Sequence, residues 1–261
     1  MDLDAALLTE GAVLLVGIVS GFLSILAGGG VTVVLPVLLA LGLPADVANA
    51  TSRLGLAAGT LVAALTLARA GRIDWPVARP MIVAAAAGAA LGALAGATVR
   101  APAMLEIIVV TAVVSTVLVF AQPNRWLAAA PQRPLVPPAV GVGLYFALCV
   151  YGGVVAVDSA ILRLILLVLV VGLPLGRANP VKVVSGLALF GVSALVYAEA
   201  GEVDWRIAAW LSAGTVVGAY AAARLSASPA AQVLVYRLLQ AIVALETSFL
   251  VLQWLGVVAR I

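Results

Sequence analysis

Apolar residues in this chain come in blocks too long to form one face of a soluble helix. The run from Gly11 to Leu41 is broken by hydroxyl side chains only at Ser20, Ser24 and Thr32. Crossing a hydrocarbon core of about 30 Å takes about 20 helical residues, so blocks of this kind predict membrane helices. The pattern predicts them at 45–69, 76–98 and 102–120, and again at 177–199, 205–225 and 230–258. Each set of three follows a longer block, 11–41 or 139–171. The first of these holds Gly28, Gly29 and Gly30 in succession, and each costs a helix about 1 kcal/mol relative to alanine. A break at the glycines is expected, with a helical piece on each side.

The two sets are copies at an offset of 130 residues. "GLPADVAN" from Gly42 matches "GLPLGRAN" from Gly172, "GRIDW" from Gly71 matches "GEVDW" from Gly201, and Gly88 matches Gly218. Three ungapped matches divide the chain into repeats at 1–130 and 131–261, joined by the Pro-rich linker "QPNRWLAAAPQRPLVPP". The repeated Asp-Trp suits a helix start at the membrane surface, with aspartate at the positive end of the helix dipole and tryptophan at headgroup depth.

Charge decides how the copies face. The loop from Arg69 to Arg79 holds three arginines against Asp74, whereas its counterpart holds Glu199, Glu202 and Asp204 against Arg206. Lys and Arg favour the cytoplasmic side, which puts the first loop and the linker (Arg125, Arg133) inside and the second loop outside. Equivalent loops on opposite faces mean inverted halves, each with an odd number of crossings. The broken block then contributes zero or two, and the expectation is a re-entrant helical hairpin with its tip at the glycines. A single tilted span in each half would set one loop against the charge rule. The N-terminus then lies outside; "MDLD" lacks the basic start of a secretory signal, so no cleavage is expected.

With 65% hydrophobic and 10% charged residues, against about 45–50% and 25% in soluble domains, the chain reads as one all-α integral membrane unit. It has no histidine and one cysteine, Cys149. That excludes Ser-His-Asp catalysis, His-ligated metals and Cys clusters, so no enzyme activity and no cofactor is expected. The net charge of +3 reports topology and gives no support to nucleic-acid binding. Nothing in the sequence decides for or against a homo-oligomer.

The glycine break followed by "VLPVLLALGLP", "ANATS" at Ala48 to Ser52, "GRIDW", and the second copy's "GLPLGRANPVK" and "GEVDW" together resemble the sulfite exporter TauE/SafE-like membrane transporters over essentially the whole chain. The resemblance implies a bacterial inner-membrane permease that moves small anions, sulfite or organosulfonates in characterised members. The second copy departs from the glycine-rich break: it reads "YGGVVAVDSAILR", with Gly152 and Gly153 six residues early by the offset and Asp158 opposite Gly28.

A charge at bilayer mid-depth costs at least about 2.5–3.5 kcal/mol, which singles out Arg53, Asp158, Arg163, Lys182 and Glu246. An anion carrier needs fixed cations and the free N–H groups of helix N-termini; Gly28, Gly29 and Gly30 would supply backbone, and glycine admits close approach of a ligand. Arg163, beyond Asp158 and Ser159, would grip an oxyanion with its planar fork or else pair with Asp158 or Glu246. Arg53 and Lys182 follow Asn49 and Asn179 and would either snorkel to headgroups or line the anion path. The asparagines read as caps or hairpin contacts, and Thr51, Ser52 and Ser185 as hydroxyl donors or backbone partners. Glu246 reads as an ion-pair partner or a protonatable coupling group, so proton coupling stays open. The leading expectation is a secondary transporter with one anion site between the two breaks. A passive anion channel on the same scaffold is the alternative, and an intramembrane enzyme has almost no support.

Overall fold

The computed structural model describes residues 3–96, 113–114, 117–120, 131–157, 159–201, 203–226, 233–238, 240–241, 244 and 248, and their regular structure is helical throughout. Helices α1 (Leu3–Leu26), α2 (Gly30–Ala40), α3 (Ala45–Arg69) and α4 (Trp75–Gly96) come from the first repeat. The second gives α5 (Pro138–Val154), α6 (Ser159–Ile165) running into a π-helical turn at Leu166–Val170, α7 (Leu175–Glu199) and α8 (Trp205–Leu225). The expected helices at 102–120 and 230–258 lie largely outside the described residues; 117–120 and 233–238 are helical. By length and composition, Thr9–Leu26, Val47–Arg69, Trp75–Gly96 and Leu175–Glu199 can each cross a membrane.

Both long apolar blocks are broken, as their composition requires. The first breaks between Leu26 and Gly30, where Gly28 takes φ +105°, a left-handed conformation that a side chain makes costly. The second breaks after Val154. Gly152 and Gly153 do not form this tip: both lie in the last turn of α5, where the helix end shifts the match between copies. Leu26 and Val154 end their helices 128 residues apart, while the third helices start 130 apart, at Ala45 and Leu175. The four residues between Val154 and Ser159 against three between Leu26 and Gly30 absorb part of that difference.

The pieces are not equal in length. At about 1.5 Å per residue, α2 with 11 residues is too short to span, whereas α1 is longer than expected and includes an 18-residue apolar window. α6 and its π turn form the most enclosed arm: Ala160, Ile161, Arg163, Leu164 and Leu166 to Leu169 are all buried. α2 buries only Gly30, Val31, Val34 and Leu38.

The repeats interleave. α1 packs along α8 and α5 along α4; α3 also packs on α8, α7 on α4, and α3 against α7 through the centre. Each interrupted helix therefore leans on the fourth helix of the other repeat. Backbones approach closely there because small residues line the seams: a Cβ on Gly88 would meet the Phe146 carbonyl at 2.7 Å, and one on Gly153 would meet the Gly92 Cα at 2.7 Å. Leu15, Val83, Leu91, Leu94, Leu195 and Val217 point outward, a surface suited to lipid.

The repeated Asp-Trp does mark two helix starts, with Trp75 and Trp205 exposed. Asp204 caps α8, accepting from the N–H groups of Arg206 and Ile207 at 3.0 Å each. Asp74 is used differently, in an ion pair with Arg177 at the start of α7. The linker residues 131–137 are non-helical; the N–H groups of Gln132 and Leu135 donate to the carbonyls of Gly172 and Val170.

Candidate functional site

The two breaks meet at the centre. A Cβ on Gly28 would lie 3.0 Å from the Ile161 N and 3.1 Å from the Ala160 carbonyl carbon, so the first tip rests on the start of α6. Ser20 Oγ donates to the Gly30 carbonyl at 2.8 Å and ties α1 to α2. In the second hairpin the room left by Gly152 admits Ser159, whose Cβ lies 2.8 Å from where a Gly152 Cβ would stand. Ser159 Oγ donates to the Ala156 carbonyl at 3.1 Å.

Three cations surround this point, and all are buried: Arg53 at 0%, Arg163 at 1% and Lys182 at 2% exposure. None snorkels, which corrects that expectation for Arg53 and Lys182. They stand at the ninth and eighth residues of α3 and α7, on faces turned into the bundle rather than to the membrane surface. Arg53 donates from Nη1 to the Gly152 carbonyl (3.0 Å) and from Nη2 to that of Val154 (3.2 Å), and it lies over the Tyr197 ring at 4.8 Å. Its Nε has no partner among the described residues. Lys182 Nζ donates to the carbonyls of Ser24 and Ile25, each at 3.1 Å.

Arg163 donates from Nε to the Ser159 carbonyl (3.2 Å) and from Nη1 to that of Lys182 (3.4 Å). Gly186 on α7 leaves space against its fork, since a Cβ there would lie 3.4 and 3.5 Å from Nη1 and Nη2 and 3.8 Å from Thr60 Cγ2. Next to it, Tyr145 on α5 and Ser185 on α7 share a hydrogen bond of 2.5 Å, and Ser185 Oγ also donates to the Val181 carbonyl at 2.7 Å. Tyr145, Thr60 and Gly186 escape a reading by charge, because each looks in sequence like ordinary packing. Tyr145, a fully buried phenol two turns before the second break, carried the one signal that could have been used: a tyrosine hydroxyl in a core requires a partner.

The other candidates have narrower roles. Asn49 and Asn179 are not caps: α3 and α7 start after Pro44 and Pro174, four residues earlier, because proline ends the preceding turn and presets the backbone for helix. Asn179 is buried, its Oδ1 has no partner among the described residues, and it lines a recess of about 10 Å³ beside Ser226 and Val235. Asn49 is half-buried. Ser52 Oγ donates to the Asn49 carbonyl at 2.8 Å, and Thr51 Oγ1 accepts from the Asp204 N–H at 3.1 Å, so both hydroxyls satisfy backbone. Asp158 and Glu246 lie outside the described residues.

Among the described residues, the ion pairs are Arg177 with Asp74 and Arg206 with Glu10, both at the periphery. No described carboxylate stands within ion-pair distance of Arg53, Arg163 or Lys182. Buried positive charge in low dielectric favours an anion strongly.

A multi-pass helical membrane protein with two interrupted helices meeting among buried cations has the makings of a transport protein. The family model described as "Sulfite exporter TauE/SafE" matches residues 13–248, and the chain belongs to that family of membrane transporters. Among curated proteins and among solved structures, no match to the chain was found.

Proposed function

We propose that this protein is a secondary transporter of small anions, sulfite or organosulfonates in particular, working by alternating access around one site where the two breaks meet. The observation that carries this reading is Arg163. Its planar fork is buried in the helix bundle beside Gly186, Tyr145 and Ser185, with no carboxylate among the described residues in ion-pair contact. An oxyanion with two free oxygens suits a guanidinium edge, and the family's name supplies sulfite as the substrate class.

All three cations are buried among the described residues, as a carrier's site is between its openings. The test is flux into liposomes with a panel of sulfite, organosulfonates and carboxylates, with and without a pH gradient. Saturable uptake of the sulfur oxyanions is expected; non-saturating flux that follows the electrochemical gradient would establish the channel instead.

The halves are inverted in this reading, in the bacterial inner membrane with the N-terminus outside. The exchanged packing of α1 on α8 and α5 on α4 supports two related halves, and the loop charges supply their opposite orientation. In a cysteine-labelling experiment, Arg72→Cys is expected to react only from the cytoplasm and Ala200→Cys only from outside. Reaction of both from one face removes the inverted arrangement.

A further inference from the structure

Arg53 and Lys182 entered as candidate substrate ligands, yet their contacts follow a different rule. A helix ends with backbone carbonyls that lack intrahelical partners and carry partial negative charge; where the end is buried in a membrane, those groups must be satisfied within the protein. α1 ends at Leu26, and Lys182, from the second repeat, donates to the carbonyls of Ser24 and Ile25. α5 ends at Val154, and Arg53, from the first repeat, donates to the carbonyls of Gly152 and Val154. The carbonyl between those two, Gly153, accepts from Tyr197 Oη at 3.3 Å.

The two arrangements correspond in their parts though not residue by residue: Lys182 takes the adjacent carbonyls of Ser24 and Ile25, whereas Arg53 takes those of Gly152 and Val154 and leaves the one between to Tyr197. Ser24 and Gly152 are 128 residues apart, as are the helix ends Leu26 and Val154, and the donors sit at like depths on α3 and α7. Each repeat thus carries the cation that closes the interrupted helix of the other. We propose that Arg53 and Lys182 are reciprocal latches: positioning residues that hold the tip of the opposite hairpin, so that neither tip moves without releasing a contact made by the other half. They act on the anion site through the helix ends and do not ligand the substrate. This rests on the transport reading for its consequence and on the hydrogen bonds alone for its geometry.

The assignment predicts a crossed pattern. In a Cys149→Ala background, single cysteines at Ala27 and Val155, both buried beside the tips, report local opening through their rate of thiol labelling in membrane vesicles. Arg53→Gln removes two charge-assisted bonds from α5 and is expected to raise labelling of Val155→Cys by about ten-fold, with Ala27→Cys unchanged. Lys182→Gln is expected to do the reverse, and Arg53→Lys and Lys182→Arg to restore most of the wild-type rate. If Arg53→Gln does not yield folded protein, Arg53→Lys, which keeps the charge but not the fork, is read instead: a labelling rate modestly above wild type at Val155→Cys, with no rise at Ala27→Cys, is expected, and a rise at Ala27→Cys or at neither site overturns the proposal. Increased labelling at the tip of the mutated half, or no change at either tip, overturns the proposal. In the flux assay, Arg53→Gln is expected to lower the maximal rate with KM for sulfite unchanged; a raised KM at an unchanged maximal rate would make Arg53 a ligand. Because labelling needs no substrate, a chain that moved no sulfite would refute the transport reading while leaving the crossed labelling to decide the latch.

Discussion

Arg163→Ala is expected to remove anion transport while leaving an assembled protein. One hydrogen bond from a charged group is worth about 1.5–3 kcal/mol, and 1.4 kcal/mol is tenfold, so uptake of sulfite should fall by about 10- to 100-fold. The fold should tolerate the change because the two carbonyls that Arg163 contacts, those of Ser159 and Lys182, belong to helices α6 and α7, and removing a membrane-buried charge also removes its desolvation cost. Arg163→Lys should transport at an intermediate rate, since an ammonium keeps the charge and loses the planar two-point grip. Arg206→Ala serves as the control: its pair with Glu10 is half-open to the surroundings, and its loss should leave uptake within about two-fold, in line with the small worth of surface pairs. Wild-type uptake by Arg163→Ala would take away the central residue of the proposed site.

Gly92→Ala and Gly218→Ala are expected to lower thermal stability sharply, while Gly11→Ala and Gly191→Ala leave it unchanged or slightly higher. On Gly92 a Cβ would overlap the Val150 carbonyl oxygen and come within 2.8 Å of the Gly153 Cα; on Gly218 it would overlap the Ile18 oxygen and reach the Phe22 N at 2.8 Å. These neighbours are backbone in packed helices and cannot swing aside, so the helices must separate. Overpacking of this kind costs about 1–3 kcal/mol, enough to change a melting curve followed by size-exclusion chromatography of detergent extracts. Around Gly11 and Gly191 nothing lies within 4 Å, and there alanine brings only its better helix propensity, about 1 kcal/mol at most. Equal melting of all four variants would mean that the α4–α5 and α1–α8 seams do not pack as described. The paired design matters because Gly92 and Gly218 sit on different seams, so a defect in both tests the exchange between repeats rather than one contact.

Helix positions were largely legible in the sequence. Apolar block length fixed the helices at 45–69 and 205–225 to the residue or nearly so, because in a membrane a helix is set by where polar groups must leave the hydrocarbon. The break at Gly28 was legible for a similar reason: only the backbone of glycine announces a left-handed φ in its residue type. The second break was legible through the repeat alone: the 130-residue offset points past Gly152 and Gly153 to position 158, and the helices end at Val154 and resume at Ser159, while the two glycines serve as close-packing residues of the α5 end. In sequence a glycine needed for conformation and one needed for space are the same letter.

The rare charges were also legible, as residues whose cost in a membrane demands a reason. Their reasons were not. A headgroup, a substrate and a helix end all satisfy a cation, and choosing among them requires knowing what lies across the bundle. Arg53 and Lys182 meet carbonyls 99 to 158 residues away in the chain, contacts that no local pattern encodes. The sequence by itself determined a helical membrane chain, its two broken apolar blocks and its short list of costly charges, because these follow from local transfer and propensity energies and from the match between its halves. Only the tertiary structure decided that α1 packs on α8 and α5 on α4, that the tips touch, and that Lys182 and Arg53 donate to the last carbonyls of α1 and α5. Those outcomes depend on long-range packing, in which small residues set how near two backbones come and nearness decides which carbonyls a cation can reach.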